Sequence, residues 1–371
     1  MAPYCADRWP VCSSNDRYRT ADGSCNNFNN PLWGASITNQ ARFLSPSYDD
    51  QYNMGSVPRI RSVTGSLLPS PRDISNVVLN GGESPPRSRI FSESLTHLGQ
   101  FINHDFISTP ILKDGDNDIV CCNEDVPVDR PECFLFRTPP GDFQTTCMHF
   151  VRSDFGVAPG CPPESRNQIN RFTSFLDLSV TYGSTLAKQN DLREFGTGRL
   201  QEGINRLLPT GPPGAECLAG EECFKSGDSR LSVTPMLTVV HTAFLREHNN
   251  INERLRALGW YDGEELRYEH VRATEVSDLA LIHCIILPAN PSTRNAFGCA
   301  AFRYGHSLVG SFVESFNQDF TPRAREPLED HFFSTRSIRN FTTFGPDAIA
   351  RWMTTQFKSR SDRFPDSYNQ E

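Results

Sequence analysis

Twelve cysteines among 371 residues constrain the fold of this chain more than any other feature of its sequence. They lie in stretches rich in Pro, Gly and Asp, such as CCNEDVPVDRPEC at 121–133, and no paired CxxC motifs of the zinc-binding type occur. Disulfide bonds formed in an oxidising compartment therefore explain the cysteines better than scattered free thiols do. The sequence thus predicts long loops that are tied together by disulfides.

Two further features bear on secretion. The first ten residues, MAPYCADRWP, lack the apolar core of a signal peptide, so we expect either the signal or part of the N-terminus to be missing from this sequence. One sequon, NFT at Asn340, is compatible with a secreted protein.

The composition excludes two broad classes of protein. The net charge of −8 and the isoelectric point of about 5.6 argue against a nucleic-acid-binding protein, which usually carries a basic face. No apolar run approaches the roughly 20 residues that a membrane-spanning helix needs, and the mean hydropathy is −0.46. The 26 phenylalanines favour a large aromatic core or an aromatic-lined pocket.

Apolar periodicity predicts a mainly α-helical fold with few strands. The clearest helix covers 235–258, with Thr234 as N-cap, Pro235 at the first helical position and Gly259 beyond the end. Further helices are predicted over 90–107, 185–208 and 295–317. The apolar stripes that support these predictions are Leu237, Val240, Phe244, Ile251 and Leu255; Phe91, Leu95, Leu98, Ile102 and Phe106; and Phe302, Val309 and Val313.

The segment GQFINHDF, at 99–106, carries the first candidate catalytic group. Gln100 and His104 lie one helical turn apart and therefore share a face, roughly opposite the apolar stripe. This polar face could simply be solvated, or it could present a catalytic histidine with a hydrogen-bonding partner above a pocket.

Two other segments also allow two interpretations. His306 lies among apolar residues, where it could be an ordinary core histidine or the neutral imidazole that binds a haem iron. In TSFLDLSVTYGS, at 173–184, an extended backbone would place the oxygens of Thr173, Asp177 and Ser179 on one side. Such oxygens suit a calcium ion, although a simple Asx- and Ser-rich turn would explain the same residues.

Taken together, these segments resemble the animal haem peroxidases, the superfamily of myeloperoxidase, thyroid peroxidase and peroxidasin. The resemblance covers most of the chain and is strongest to secreted invertebrate members. It implies a single helical peroxidase domain over 1–371 that lacks the usual C-terminal part and a segment near 284–292. The matching motifs, in the order of the family, are GQFINHDF (99–106), TSFLDLSVTYGS (173–184), GDSRLSVTPMLTVVHTAFLREHN (227–249) and AFRYGHSLV (301–309).

The resemblance assigns catalytic and cofactor-binding roles. His104 would be the distal acid and base for hydrogen peroxide, Arg230 would stabilise charge on the departing oxygen, and Gln100 would order distal water or a halide. His306 would be the axial iron ligand and Arg303 would pair with a haem propionate. Calcium would be bound by Asp105, Thr173, the carbonyl of Phe175, Asp177 and Ser179.

The chain departs from the family where the haem is covalently attached. Asn103 occupies the position of an aspartate that forms an ester to the haem, and an amide cannot do so. Val233 replaces the glutamate of the second ester, and Thr234 occurs where some members have a sulfonium-forming methionine. The resemblance therefore implies haem b held without covalent links, which favours a phenolic or tyrosyl donor over a halide.

The resemblance also implies disulfides and an alternative function. It pairs Cys12 with Cys25, Cys217 with Cys223 and Cys5 with Cys161. Cys121, Cys122, Cys133 and Cys147 would form two more bridges whose pairing stays open, and Cys284 and Cys299 have no placed counterpart. The departures at the haem site keep a second hypothesis open, in which the chain is a catalytically silent extracellular adhesion or matrix protein.

Overall fold

The computed structural model of the protein describes residues 10–48, 59–78, 86–123, 126–134, 136–139, 146–156, 166–212, 216–260, 263–279 and 289–359. The helices within these ranges are α1 (Pro71–Val78), α2 (Glu93–Phe106), α3 (Ser179–Tyr182), α4 (Leu186–Leu192), α5 (Pro235–Ala257), α6 (Glu264–Leu279), α7 (Asn295–Cys299), α8 (Arg336–Arg339) and α9 (Pro346–Thr355). Four 3₁₀ helices cover Ile204–Arg206, Ser229–Ser232, Ala301–Leu308 and Leu328–His331.

The strands are short and form small antiparallel sheets. They are β1 (Thr38–Asn39), β2 (Arg87–Ser92), β3 (Lys113–Asp114), β4 (Asn117–Asp118), β5 (Cys122–Asn123), β6 (Val126–Pro127), β7 (Phe136–Arg137), β8 (Cys147–Met148), β9 (Phe155–Gly156), β10 (Asn167–Asn170), β11 (Arg193–Glu194), β12 (Arg199–Leu200), β13 (Phe312–Phe316), β14 (Pro322–Pro327) and β15 (Phe357–Ser359). One sheet has three strands in the order β1-β10-β9, and the others are pairs. The predicted class, mainly helical with few strands and disulfide-tied loops, is confirmed.

Helix α5 is the centre of the core and begins and ends as predicted. The Thr234 hydroxyl accepts a hydrogen bond from the Leu237 N–H at 3.2 Å, and Pro235 occupies the first turn, where a missing N–H has no cost. Gly259 follows the C-cap with a φ of +81°, a left-handed conformation that glycine adopts without strain. Helices α2, α6 and α9 pack against α5, and the core contains Phe101, Leu237, Ile349 and Trp352, all buried.

The predicted helix over 90–107 begins later than expected. Residues Arg87–Ser92 form strand β2 instead, which pairs antiparallel with β15 through Ser92 and Phe357. The Glu93 N–H donates to the Gln356 carbonyl at 2.8 Å, so the strand pairing continues to the first helical residue. A partner strand that is more than 250 residues away overrides the local periodicity.

Two other helix predictions are wrong over most of their length. In 185–208, only α4 is α-helical, because glycines with positive φ at 196 and 198 turn the chain into the β11–β12 hairpin. In 295–317, α7 gives way to the 3₁₀ helix Ala301–Leu308 and then to β13, which pairs with β14. The stripe predicted through Phe302, Val309 and Val313 therefore does not form on one helix.

Four disulfides occur among the described residues. Cys12–Cys25 and Cys217–Cys223 confirm two of the implied pairs. The open pairing resolves as Cys121–Cys133 and Cys122–Cys147, in a small cluster with Ile119 and Val151. Cys299 is exposed and forms no disulfide, whereas Cys5, Cys161 and Cys284 lie outside the described residues.

Candidate functional site

Helix α2 buries the polar face that was expected to be solvated or to lie above a pocket, and it exposes part of the apolar stripe that was expected to pack against the core. Leu95 and Leu98 of the apolar stripe are 45% and 37% exposed, whereas His97 is fully buried and His104 and Asp105 are buried beside Phe101. Most buried polar groups in proteins are hydrogen-bonded. The partners of His104 and Asp105 come from the segment before α5 and from the segment at 173–180.

A single carboxylate connects the two predicted catalytic groups. The buried Asp228 Oδ2 lies 2.7 Å from Arg230 Nη2 and 3.4 Å from His104 Nδ1. Arg230 Nε also donates to Asp228, and its Nη2 donates to the His104 carbonyl at 3.2 Å. A guanidinium that is held in this fork-like manner has little freedom to turn. The structure thus brings His104 and Arg230 together, as the sequence analysis expected.

Local structure explains why Asp228 can hold both groups. Its side chain caps the 3₁₀ helix Ser229–Ser232 by accepting the Arg230 N–H at 3.1 Å. The Thr238 hydroxyl in turn donates to the Leu231 carbonyl at 2.8 Å, which fixes this short helix to α5. The position of Arg230 therefore depends on α5, the most regular element of the core.

Electrostatics favour a neutral imidazole beside a charged pair. Burial, followed by the charge of Arg230, lowers the pKa of His104 well below its usual value near 6.5. Burial alone would raise the pKa of Asp228, but the Arg230 charge and hydrogen bonds outweigh burial and lower it. At neutral pH the cluster thus holds a neutral histidine, a carboxylate and a guanidinium.

Asp228 and His241 were not among the site residues predicted from the sequence. Asp228 lies two residues before Arg230, and an acidic residue at the start of a helix is a recognised capping signal that would have identified it. His241, in α5, is buried against Phe101, with its Nδ1 3.1 Å from the Ser226 hydroxyl. Burial lowers the pKa of His241 to about 4, so it too is neutral.

Gln100 and Asn103 lie on α2 and are both half-buried. Asn103 contributes its carbonyl to the C-cap of α2 by accepting the Ile107 N–H at 3.0 Å. Their proposed roles toward water, a halide or a haem stay predictions.

A second buried cluster contains all five residues that were predicted to bind calcium. Asp105 accepts the backbone N–H groups of Asp177, Leu178 and Val180, each at 3.1 Å. The Ser179 hydroxyl donates to the Asp105 carbonyl at 3.0 Å, and the Thr173 hydroxyl donates to Asp177 at 2.8 Å. The Phe175 carbonyl lies 3.5 Å from the Thr173 hydroxyl. The segment is not extended throughout, because Leu178 has a φ of +58° and Ser179 begins α3, so the extended backbone considered for these oxygens is not what groups them.

The chemistry of this cluster fits a hard cation. Asp105 and Asp177 are both buried, and burial and the neighbouring carboxylate raise the pKa of Asp105 well above its usual value. Burial also raises the pKa of Asp177. Groups of three or more His, Cys, Asp or Glu suited to a metal do not occur among the described residues; here the other oxygens belong to hydroxyls and a carbonyl, which are also calcium donors.

The 3₁₀ helix Ala301–Leu308 carries His306 and Arg303 and packs against α2. Both residues are exposed, so His306 is not held in the apolar wall that the sequence analysis expected, because the segment is not one continuous α-helix. Arg303 Nε donates to the Gly298 carbonyl at 3.1 Å. Partial desolvation and then the Arg303 charge lower the pKa of His306.

The α2 side of this site would suit a haem better than the side formed by the 3₁₀ helix with His306 does. The α2 side offers a neutral imidazole next to a fixed guanidinium, which is the donor set of a distal haem pocket. The 3₁₀ helix Ala301–Leu308 adjoins that side, because it packs against α2. The His306 imidazole has the chemistry that would bind a haem iron, but in this structure it is exposed.

No helix among the described residues is long and apolar enough to cross a membrane.

The sequence matches a family model and several known proteins of one family. The sequence model of the animal haem peroxidase family matches residues 18–285 and 288–369. A peroxidase-like protein of Margaritifera margaritifera is 35% identical over 98% of this chain and 50% of its own length. The human peroxidasin homolog is 34% identical over 88% of this chain and 25% of its own length. The chain thus spans half or less of the length of these relatives.

Solved structures share the fold at low sequence identity. Peroxidase A from Dictyostelium discoideum superposes with a TM-score of 0.74 at 19% identity, over 95% of this chain and 75% of that one. A fatty acid alpha-dioxygenase of Oryza sativa has a TM-score of 0.72 at 15% identity, over 95% and 61% of the two chains. The family match over most of the sequence decides the assignment: this chain belongs to the animal haem peroxidase family.

Proposed function

We propose that the chain is a haem-dependent peroxidase that uses hydrogen peroxide to oxidise a phenolic or tyrosyl donor, with a halide as the other donor class. The observation that carries this proposal is the buried Asp228 carboxylate, which lies within 3.4 Å of His104 and within 2.7 Å of Arg230. A generic helical domain has no reason to bury a histidine and an aspartate beside a half-buried arginine, since each costs free energy to desolvate. The proposal assigns one peroxidase domain to residues 1–371.

Each group of this cluster has a definite task. A bound haem supplies the two-electron reduction of hydrogen peroxide and the later one-electron oxidation of donors. His104 Nδ1 faces Asp228, so Nε2 is the atom that accepts the peroxide proton and returns it to the departing oxygen. The Arg230 guanidinium stabilises the negative charge that develops on that oxygen.

Other residues would hold the haem b. His306 would bind the haem iron and Arg303 would pair with a propionate, while Gln100 would order water or a halide. Asn103 and Val233 cannot form ester links, so the haem would be held without covalent bonds. Looser binding and a lower oxidising power follow, which favours phenolic and tyrosyl donors over halides.

Calcium would stabilise the distal side. Asp105 directly follows His104, and its carboxylate and carbonyl are already bound by the segment at 177–180. A calcium ion among Asp105, Thr173, the Phe175 carbonyl, Asp177 and Ser179 would neutralise two buried carboxylates. It would thereby fix the end of α2 that carries His104.

The disulfides favour an extracellular location. Bonds such as Cys121–Cys133 and Cys122–Cys147 persist in oxidising compartments and are rare in the cytosol. A secreted peroxidase would meet tyrosyl side chains of matrix proteins as donors, so matrix contacts belong to this proposal.

The test is an absorption and turnover experiment on the full chain expressed with calcium and haem. A Soret band that shifts on addition of peroxide, together with peroxide-dependent oxidation of a phenol, supports the proposal. His104→Ala should abolish turnover but retain the band, whereas His149→Ala, at an exposed position in a loop, should change neither. Absence of the band after haem supplementation would refute the proposal.

Two observations favour the second candidate, a catalytically silent extracellular adhesion or matrix protein. His306 is exposed on a 3₁₀ helix rather than enclosed, and the two ester-forming carboxylates are replaced by Asn103 and Val233. This candidate predicts a folded, calcium-stabilised protein without peroxide turnover. A phenol oxidation rate that disappears in His104→Ala would exclude it.

A further inference from the structure

The sequon at Asn340 takes no part in the proposed chemistry, yet its surroundings suit a covalent modification. Asn340-Phe341-Thr342 has the N-x-[S/T] pattern, and the other such spacing in the chain, Asn290 to Ser292, is excluded by the intervening Pro291. The 371 residues therefore offer one acceptor asparagine for an N-linked glycan.

Asn340 is exposed immediately after α8, where it forms an Asx turn. Its side-chain oxygen accepts the backbone N–H groups of Thr342 and Thr343, each at 3.2 Å. Because both backbone groups are donors, the Asn340 atom that faces them must be the acceptor Oδ1 and not Nδ2. The Nδ2 amide nitrogen therefore points away from these two N–H groups. No hydrogen bond of Nδ2 occurs within the part of the chain that the structure describes.

Hydrogen bonds from the β13–β14 hairpin hold the backbone of the sequon in place, and attachment of a glycan would leave these bonds intact. Arg323, in β14, donates to the carbonyls of Phe341, at 2.8 Å, and of Thr342. The Ser315 hydroxyl, in β13, donates to the Thr343 carbonyl at 2.6 Å. Phe341 and Thr342 are themselves exposed. The β13–β14 hairpin thus presents the acceptor side chain toward solvent in one defined conformation.

We propose that Asn340 carries an N-linked glycan, an inference that rests on the extracellular location within the proposed function. In the reaction, Nδ2 forms a bond to C1 of the N-acetylglucosamine of a lipid-linked diphospho-oligosaccharide. The bond between C1 and the diphosphate oxygen breaks, Nδ2 loses a proton, and the lipid diphosphate leaves. No oxidation or reduction takes place. The glycan covers the surface around Phe341 and Arg323, which excludes this surface from contact with a protein partner.

The experiment expresses the full chain behind a cleavable secretory signal peptide in a eukaryotic cell line. Protein from both the medium and the cell lysate is treated with peptide N-glycosidase and analysed by gel mobility and peptide mass. We expect faster migration after treatment and conversion of Asn340 to aspartate in the tryptic peptide. Because the glycan is added on entry to the secretory pathway, cell-associated protein reports on the proposal even if little is released.

A matched pair of variants separates modification from a change in folding. Thr342→Ser keeps the hydroxyl and should retain the mobility shift, whereas Thr342→Ala and Asn340→Gln should both lose it. Unmodified Asn340 in the wild-type chain would overturn the proposal. The outcome is independent of haem binding and turnover, so a glycosylated but inactive chain would contradict only the proposed peroxidase activity.

Discussion

His104 Nδ1 and Asp228 Oδ2 lie 3.4 Å apart in the buried interior, on two segments separated by more than 120 residues. This separation is longer than a good hydrogen bond, but small adjustments of either side chain would close it. Once closed, the Nδ1–H would donate to the carboxylate and Nε2 would stay unprotonated. In the proposed function, Asp228 would be a positioning residue for both His104 and Arg230.

Asp228→Asn should therefore impair the reaction with peroxide without abolishing haem binding. The amide keeps the shape but loses the charge that orients the imidazole and fixes the guanidinium. We expect a decrease in the rate constant for peroxide of about ten- to a hundredfold, as for other residues that position catalytic ligands. Stopped-flow absorbance after mixing with peroxide measures this rate constant.

Asp319→Asn is the matched control, because Asp319 is exposed in a turn and accepts hydrogen bonds only from Thr321 among the described residues. Its rate constant should equal that of the wild type. An Asp228→Asn protein that reacts with peroxide as fast as the control would contradict the positioning role.

The sequence predicted the local parts of the structure better than the parts that depend on distant contacts. The N-cap at Thr234 and the end of α5 before Gly259 follow from local chemistry, and both are confirmed. Strand β2 could not be predicted from its own periodicity, because the Phe357–Ser359 strand that pairs with it lies at the other end of the described chain.

The candidate site shows the same division. The order of the motifs was enough to predict that His104 and Arg230 share one site and that Asp105 and Asp177 share another, and the structure places each pair together. The buried side of α2 was assigned wrongly, because periodicity treats Leu95 as a better core residue than Asp105. The hydrogen bonds that make Asp105 acceptable in the interior come from residues more than 70 positions away.

Calcium removal should destabilise the wild-type protein, because two buried carboxylates would then repel each other. At a calcium concentration about 100 times the dissociation constant, binding to the folded state alone contributes about 2.7 kcal/mol. Thermal unfolding with and without EGTA should therefore show a lower melting temperature in EGTA. Asp177→Asn should remove this difference, and Asp319→Asn should keep it. A wild-type melting temperature that EGTA leaves unchanged would contradict the calcium site.

Thr234→Ala should destabilise the protein by about 1 kcal/mol, the usual loss for an N-cap hydroxyl. Thr234 caps α5, whose first turns also fix the 3₁₀ helix that carries Arg230. Thr234→Ser retains the capping oxygen and should recover most of the stability. Urea unfolding of the three proteins compares their free energies directly, and equal values for the alanine and serine variants would argue against capping.

Acid should weaken the fold through buried histidines, of which His248 is the best probe. Its ring is fully buried, with Nε2 3.0 Å from the Gly198 carbonyl and Nδ1 2.8 Å from the Tyr182 hydroxyl. Burial lowers its pKa from 6.5 to about 4. Between these values the unfolded state binds more protons than the folded state, so stability decreases as the pH falls below 6.5. The loss from this group is on the order of 2 kcal/mol by about pH 5.

His248→Gln should lower the stability near neutral pH but flatten its dependence on pH, because the variant has no imidazole to protonate. Glu93 acts with the opposite sign, since burial raises its pKa to about 8 and favours the folded state as the pH falls. The contribution of Glu93 is the same in variant and wild type, so it cancels when the two are compared. The quantity to measure is therefore the difference between their free energies of unfolding in urea, at several pH values from neutral to acidic. His149→Gln, at an exposed position, should show a constant difference. If the difference for His248→Gln is also constant, protonation of this buried histidine does not limit acid stability.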